Sequence, residues 1–204
     1  SYNNIGGVYY SQSDYAEALK YYEKAMAIRE KVLGENHPDT AMSYNNIGVV
    51  YEKQGDYAEA LKYHQKALAI REKVLGENHP DTATSYNNIG GVYYSQSDYA
   101  EALKYYEKAL AIEEKVLGEN HPDIAALYYN IGFVYYSQGD YAEALKYYQK
   151  ALAIYERVLG ENHPLTATLY NNIGSVYYSQ GNYVDALENY EKALAIEENV
   201  LGEN

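Results

Sequence analysis

The chain is predicted to be all-α, an α-solenoid of five helix-turn-helix repeats, and three observations carry that prediction. The sequence returns every 42 residues: Tyr2, Tyr44, Tyr86, Tyr128 and Tyr170 each open a block close to YNNIGxVYYSQxDYAEALKYYxKALAIxEKVLGENHPDT. A fixed period in this range marks an array whose units cannot bury their apolar sides alone and stack on their neighbours. Within each block the apolar residues recur at helical spacing. Helix start and stop signals sit at the same offsets in every block. The period divides the chain into repeats 1–42, 43–84, 85–126, 127–168 and 169–204, read as one quasi-linear domain without a single central core. An HPDTAx segment is missing before Ser1, and the last block stops at Gly202-Glu203-Asn204. The expectation is a piece of a longer array.

Residues 38 to 76 show why each element forms. Pro38 suits the first position of a helix, where its missing N–H costs nothing, and Asp39 places negative charge at the positive end of the helix dipole. Ala41, Tyr44, Ile47, Gly48 and Tyr51 then make one apolar stripe. Gln54-Gly55 interrupts it. Asp56-Tyr57-Ala58-Glu59 has the form of a capping box, in which Asp56 accepts from the Glu59 amide and Glu59 reaches back. The pair recurs as Asp14/Glu17, Asp98/Glu101 and Asp140/Glu143, and decays to Asn182/Asp185. A second helix follows through Ala60, Leu61, Tyr63, Ala67, Leu68, Val74 and Leu75 to Gly76, the usual residue past a helix end. Gly48, Ala60 and Ala67 are small enough for two backbones to cross closely, with Tyr44, Tyr51 and Tyr57 around the crossing.

Tyr44, Ile47-Gly48, Tyr51, Gly55-Asp56-Tyr57, Ala60, His64 (Tyr22 and Tyr106 in neighbouring repeats) and Ala67 resemble the tetratricopeptide repeat pattern in order and spacing. That pattern ordinarily recurs at about 34 residues. The longer unit here, through REKVLGENHPDT, is similar to the repeats of kinesin light chains and related bacterial proteins, which share an ALxIREKxLGxxHPxxA segment. The resemblance spans the whole chain. It implies a right-handed superhelix with a concave face lined mainly by the first helices, and a role in binding other proteins.

Composition narrows the partners. A net charge of −13 disfavours nucleic acid and anionic membranes, which reward Lys and Arg. It leaves a neutral to basic protein or peptide. With no cysteine, disulfides and thiolate metal sites are excluded. No apolar run approaches the roughly 20 residues needed to cross a bilayer and no signal peptide is present, so a cytoplasmic chain is expected. The 29 tyrosines fall almost entirely in packing columns, and the acidic balance is wrong for base stacking. No cofactor, metal or catalysis is expected. His37, His79, His121 and His163 recur about one helix spacing apart, near 10 Å. That is too far to share a zinc ion unaided, and they are read as loop residues that cap or pack. His37, Asp39 and Ser43 lie at one helix start and cannot converge as a triad. The run Arg29-Glu30-Lys31 is read as a solvated outer face.

The binding candidates come from columns where the repeats differ or stay polar. By the resemblance, the columns of Asn45, Asn46, Glu52 and the series Gly7, Val49, Gly91, Phe133, Ser175 face the groove. The ladder Asn4, Asn46, Asn88, Asn130, Asn172, with Asn45 and Asn87 beside it, either pairs with the main chain of an extended peptide or bonds neighbouring helices. Repeat four differs: Tyr129, Phe133 and Tyr136 share a helix face, as an aromatic anchor or as drift at a tolerant position. The columns where the family holds a Lys/Arg clamp for a terminal carboxylate carry Asn3, Asn45, Asn87, Tyr129 and Asn171, so that mode is not expected. The alternative function is a spacer or scaffold. In it Val184, Leu187, Tyr190 and Leu194 of the last helix stack on the first helix of another copy, head to tail.

Overall fold

The computed structural model describes residues 1–202, and among them are ten helices and no strand. They are α1 (Tyr2–Ser11), α2 (Tyr15–Leu33), α3 (Pro38–Gln54), α4 (Tyr57–Leu75), α5 (Pro80–Ser95), α6 (Tyr99–Leu117), α7 (Pro122–Gln138), α8 (Tyr141–Val158), α9 (Pro164–Ser179) and α10 (Tyr183–Gly202). The chain gathers into two compact units, Ser1–Ile112 and the residues from Glu113 onward, and within each unit consecutive helices pack on one another. No described helix is long and apolar enough to cross a membrane.

The helix ends follow local chemistry. Asp14, Asp56 and Asp140 accept from the backbone N–H three residues on, as the capping pattern requires. The return half of the box does not form at these caps. The Asp56 N–H already donates to the Tyr51 carbonyl at 2.9 Å, so Glu59 turns outward to Lys62 at 2.8 Å. Glu17, Glu101 and Glu143 do the same with Lys20, Lys104 and Lys146. The turn before each cap needs a left-handed residue. Gly55, Gly139 and Gly181 supply it, whereas Ser13 and Ser97 hold φ at 61°, where an L side chain costs about 1–2 kcal/mol.

In the first unit, Ala18, Tyr22, Ile47 and Val50 form one buried cluster, and Ala41, Tyr44, Ala67 and Ile70 another. In the second, Ala167, Ala193 and Ile196 pack together beneath Tyr170. A fully buried Ile47 is worth about 1.5–3 kcal/mol. The buried stripe of α3 is broader than expected, adding Thr40, Ser43 and Val50, while Tyr51 is only half-buried. On α4 the inward residues are Ala60, His64, Ala67, Ile70 and Arg71, and Val74 is exposed.

Two expectations are corrected by the packing. The glycine column chiefly makes room for a ring: a Cβ on Gly48 would lie 2.8 Å from His64, and one on Gly6 or Gly90 2.8 Å from Tyr22 or Tyr106. Backbone approach is secondary, as with Ala144 O at 3.3 Å from the same point on Gly132. The Arg29-Glu30 segment is no solvated face. Arg29 donates to Asp39 O at 3.0 Å and Ser43 Oγ at 2.8 Å, and Arg71 repeats this with Asp81 O and Ser85 Oγ. Glu30 and Glu72 accept from the Tyr44 and Tyr86 hydroxyls, each at 2.5 Å. At these joints the last turn of a second helix crosses the first turn of the following helix, and both columns tie the crossing. Lys31 alone of the run keeps its exposed position.

Candidate functional site

In the first unit the first helices of successive repeats meet through carboxamides. Asn46 Nδ2 donates to Asn3 Oδ1 at 2.9 Å, and Asn88 Nδ2 donates to Asn45 Oδ1 at 2.6 Å. Asn45 Oδ1 is also 3.2 Å from His64 Nδ1. The buried imidazole is held neutral by burial and the nearby Arg71 charge, its pKa lowered to about 4. It therefore donates its Nδ1–H to Asn45, and the inter-helix role of these amides is real. Each amide is only half used, because a carboxamide offers two donors and an acceptor. The Asn46 and Asn88 oxygens and the Asn45 amino group take no bond among the described residues. Asn45, Asn46, Asn87, Asn88 and Val49 are half-buried, so this face stays accessible.

The remaining ladder members do not all join. Asn4 is exposed on α1. Asn172 spends its amide on its own helix, donating to Thr168 O at 2.8 Å. Asn130 is half-buried on α7 and has an interaction partner.

The second unit carries the aromatic group. Tyr129 and Phe133 stack, with centroids 6.1 Å apart and planes at 7°, and Tyr129 also tilts against Tyr148 at 5.9 Å. Tyr136 points elsewhere: its ring meets Tyr141 at 5.9 Å and its hydroxyl lies 3.2 Å from Ser179 Oγ. The predicted trio is thus a stacked pair and a separate tyrosine.

Two residues beside the amides extend the candidate set. Glu52 is the one acidic member of a column otherwise reading Tyr10, Tyr94, Tyr136 and Tyr178. It is half-buried on α3, and desolvation raises its pKa despite the neighbouring Lys53. Tyr106 on α6 directs its hydroxyl toward Gly91, whose absent side chain leaves a gap. Comparing repeats exposes the odd Glu52, but nothing in the sequence places Tyr106 beside it.

Elsewhere the polar residues serve the fold. His37, His79, His121 and His163 accept through Nδ1 from the N–H two residues on and cap α3, α5, α7 and α9. Ser43 Oγ bonds Arg29 and Asp39 O, so it forms no triad with His37. No group of three or more His, Cys, Asp or Glu suited to a metal occurs among the described residues.

Comparison with known proteins agrees with this architecture. The sequence model described as tetratricopeptide repeat matches residues 1–72, 42–115, 81–135 and 123–199. The fold is similar to BtubC (BKLC) from P. vanneervenii, with a TM-score of 0.85 and 24% identity over 97% of this chain and 79% of that one. It is similar to a putative kinesin light chain of Podosopora anserina described as having nearly identical TPR-like repeats, with a TM-score of 0.81 and 25% identity over 98% of this chain and 94% of that one. A Rap protein complexed with competence and sporulation factor matches with a TM-score of 0.78 and 25% identity, over 96% of this chain and 52% of that one. No curated protein matches the sequence.

Proposed function

The chain belongs to the tetratricopeptide repeat family, and we propose that it is a non-catalytic interaction module holding an extended segment of a partner protein along the first helices of its repeats. The observation that carries this reading is the set of half-used amides between α1, α3 and α5, which leaves hydrogen-bonding groups beside Val49 for a partner's main chain. Tyr129 and Phe133 add a stacked apolar surface of the kind that dominates binding energies. The net charge of −13 favours a neutral to basic segment. The Rap structure, complexed with a factor, supports the general mode. Asn88→Ala, Asn130→Ala and Phe133→Ala are expected to weaken binding to peptides selected from a library by about 3- to 10-fold each, with helicity by circular dichroism unchanged. Unaltered affinity in all three variants removes this surface from consideration.

A second reading rests on the outward faces of α1 and α10. Tyr2, Ile5 and Val8 are exposed on α1, although Tyr44, Ile47 and Val50 in the same columns of α3 are buried. On α10, Val184 (78% exposed), Leu187 and Leu194 are exposed, while half-buried Tyr190 packs toward Gly174 and lies outside this patch. Docking α10 of one copy on α1 of another repeats the joint that α4 makes with α5, and yields a scaffold.

A further inference from the structure

We infer that the gap over Gly91, between Glu52 and Tyr106, is a subsite for a basic side chain, lysine or arginine, of the bound segment. This rests on the partner-binding reading above and adds the chemistry of one position. Three observations converge on it. The Glu52 carboxylate is half-buried and takes no hydrogen bond or ion pair among the described residues, not even from Lys53, its neighbour on α3. The Tyr106 side chain is buried, only 5% exposed, and its hydroxyl also lacks a hydrogen-bond partner among the described residues. Both groups border the same space: a Cβ on Gly91 would lie 3.9 Å from Glu52 Oε1 and 3.7 Å from the Tyr106 hydroxyl.

Repeats two, four and five fill this place; repeat one leaves it open, where a Cβ on Gly7 would lie 3.6 Å from the Tyr22 hydroxyl, but with no carboxylate within 4 Å among the described residues. Val49 and Phe133 fill the column with side chains. In repeat five Ser175 Oγ lies 3.1 Å from the Tyr190 hydroxyl, which satisfies the phenol within the protein. At Gly91 there is neither filler nor partner, and the adjoining repeat contributes its column's one carboxylate. A desolvated carboxylate that no cation pairs directly is costly. An ammonium or guanidinium entering the gap removes that cost, pairs with Glu52 and donates to the phenol oxygen, giving charge-assisted bonds of the stronger class. Apolar and acidic side chains lack the donor, and an acidic one repels Glu52. The neighbouring Asn45 and Asn88 amides supply main-chain contacts on the same face.

The test is an arrayed library of extended peptides in which one position at a time carries Lys, Arg, norleucine or Glu, probed with the full chain. The expected result is enrichment of Lys and Arg over norleucine at one register by at least about tenfold, lost in Glu52→Gln and Gly91→Leu. Tyr106→Phe, which keeps the ring, is expected to lower it a few-fold. Peptide binding with no basic preference, or a preference unchanged in Glu52→Gln, overturns the subsite and leaves the general reading standing. Absence of binding by every peptide overturns both.

Discussion

His64 stands where the other repeats place Tyr22, Tyr106, Tyr148 and Tyr190, and the smaller ring goes with a larger neighbour, Val49, where repeats one and three have Gly7 and Gly91. Its Nε2 is buried without a partner among the described residues and its Nδ1 is committed to Asn45, so the imidazole can be accommodated only neutral. With its pKa lowered from 6.5 to about 4, the unfolded chain takes up the proton first as pH falls. The stability attached to neutral His64 is therefore present above pH 6.5 and is lost as pH drops toward 4. The double substitution His64→Tyr with Val49→Gly recreates the pairing of repeats one and three. Urea unfolding at pH 7.5 and pH 5 is expected to show the parent losing about 1–3 kcal/mol more than this variant between the two conditions. Equal losses overturn the assignment. A lone histidine in a tyrosine column is legible in the sequence as structural. Its bond to Asn45 is not, because two residues 19 apart meet only once two helices have crossed.

At the scale of the helix joint, one column changes character along the chain: Arg29, Arg71, Glu113, Tyr155 and Glu197. The arginines face Ser43 and Ser85, whereas the residues matching those serines in later repeats are Leu127 and Leu169. That co-variation stands in the sequence itself, yet the charged run around Arg29 reads there as an ordinary wet surface. Composition at a helix end does not say which turn the next helix crosses. Glu113 inherits the buried end of this joint without the guanidinium's donors. Its Oε2 has no hydrogen-bond partner among the described residues, and burial with the Asp123 charge raises its pKa from 4.5 to about 7. Here the fold holds the proton longer than the unfolded chain, so stability is full below pH 4.5 and declines as pH rises through 7. Glu113→Gln is expected to stabilise the chain by about 1–3 kcal/mol at pH 8 and by little at pH 4.5. Denaturant midpoints at the two pH values check this, and an equal gain at both counts against it. The Tyr–Glu bonds at the same joints keep the phenols protonated: burial and Glu156 push the Tyr170 pKa up to about 12.

For the whole molecule, the 42-residue period makes the helix count, the helix boundaries and the family legible, because every repeat states the same local rules again. The candidate site is legible only in part. Repetition reveals which columns vary, but how an amide divides its donors between a neighbouring helix and a ligand depends on angles that no column encodes. The exposed faces of α1 and α10 set a prediction at this scale. Sedimentation velocity is expected to show reversible association that strengthens with concentration. Added salt is expected to strengthen it too, since screening relieves repulsion between copies that each carry −13. Val184→Glu with Leu187→Glu is expected to lower the association constant by about tenfold or more. A monomer at every concentration and ionic strength rules out the scaffold reading.

The side-chain bonds described between repeats reach no further along the chain than the 43 positions from Asn3 to Asn46 and from Asn45 to Asn88. No distant strand or tail has to be found before such a link can close, so the entropic toll of large loops is avoided. A ribosome can thus release the molecule a repeat at a time, each newly emerged pair of helices finding its docking surface already waiting. Denaturation is expected to run in the opposite sense, peeling from whichever terminus is less firmly held.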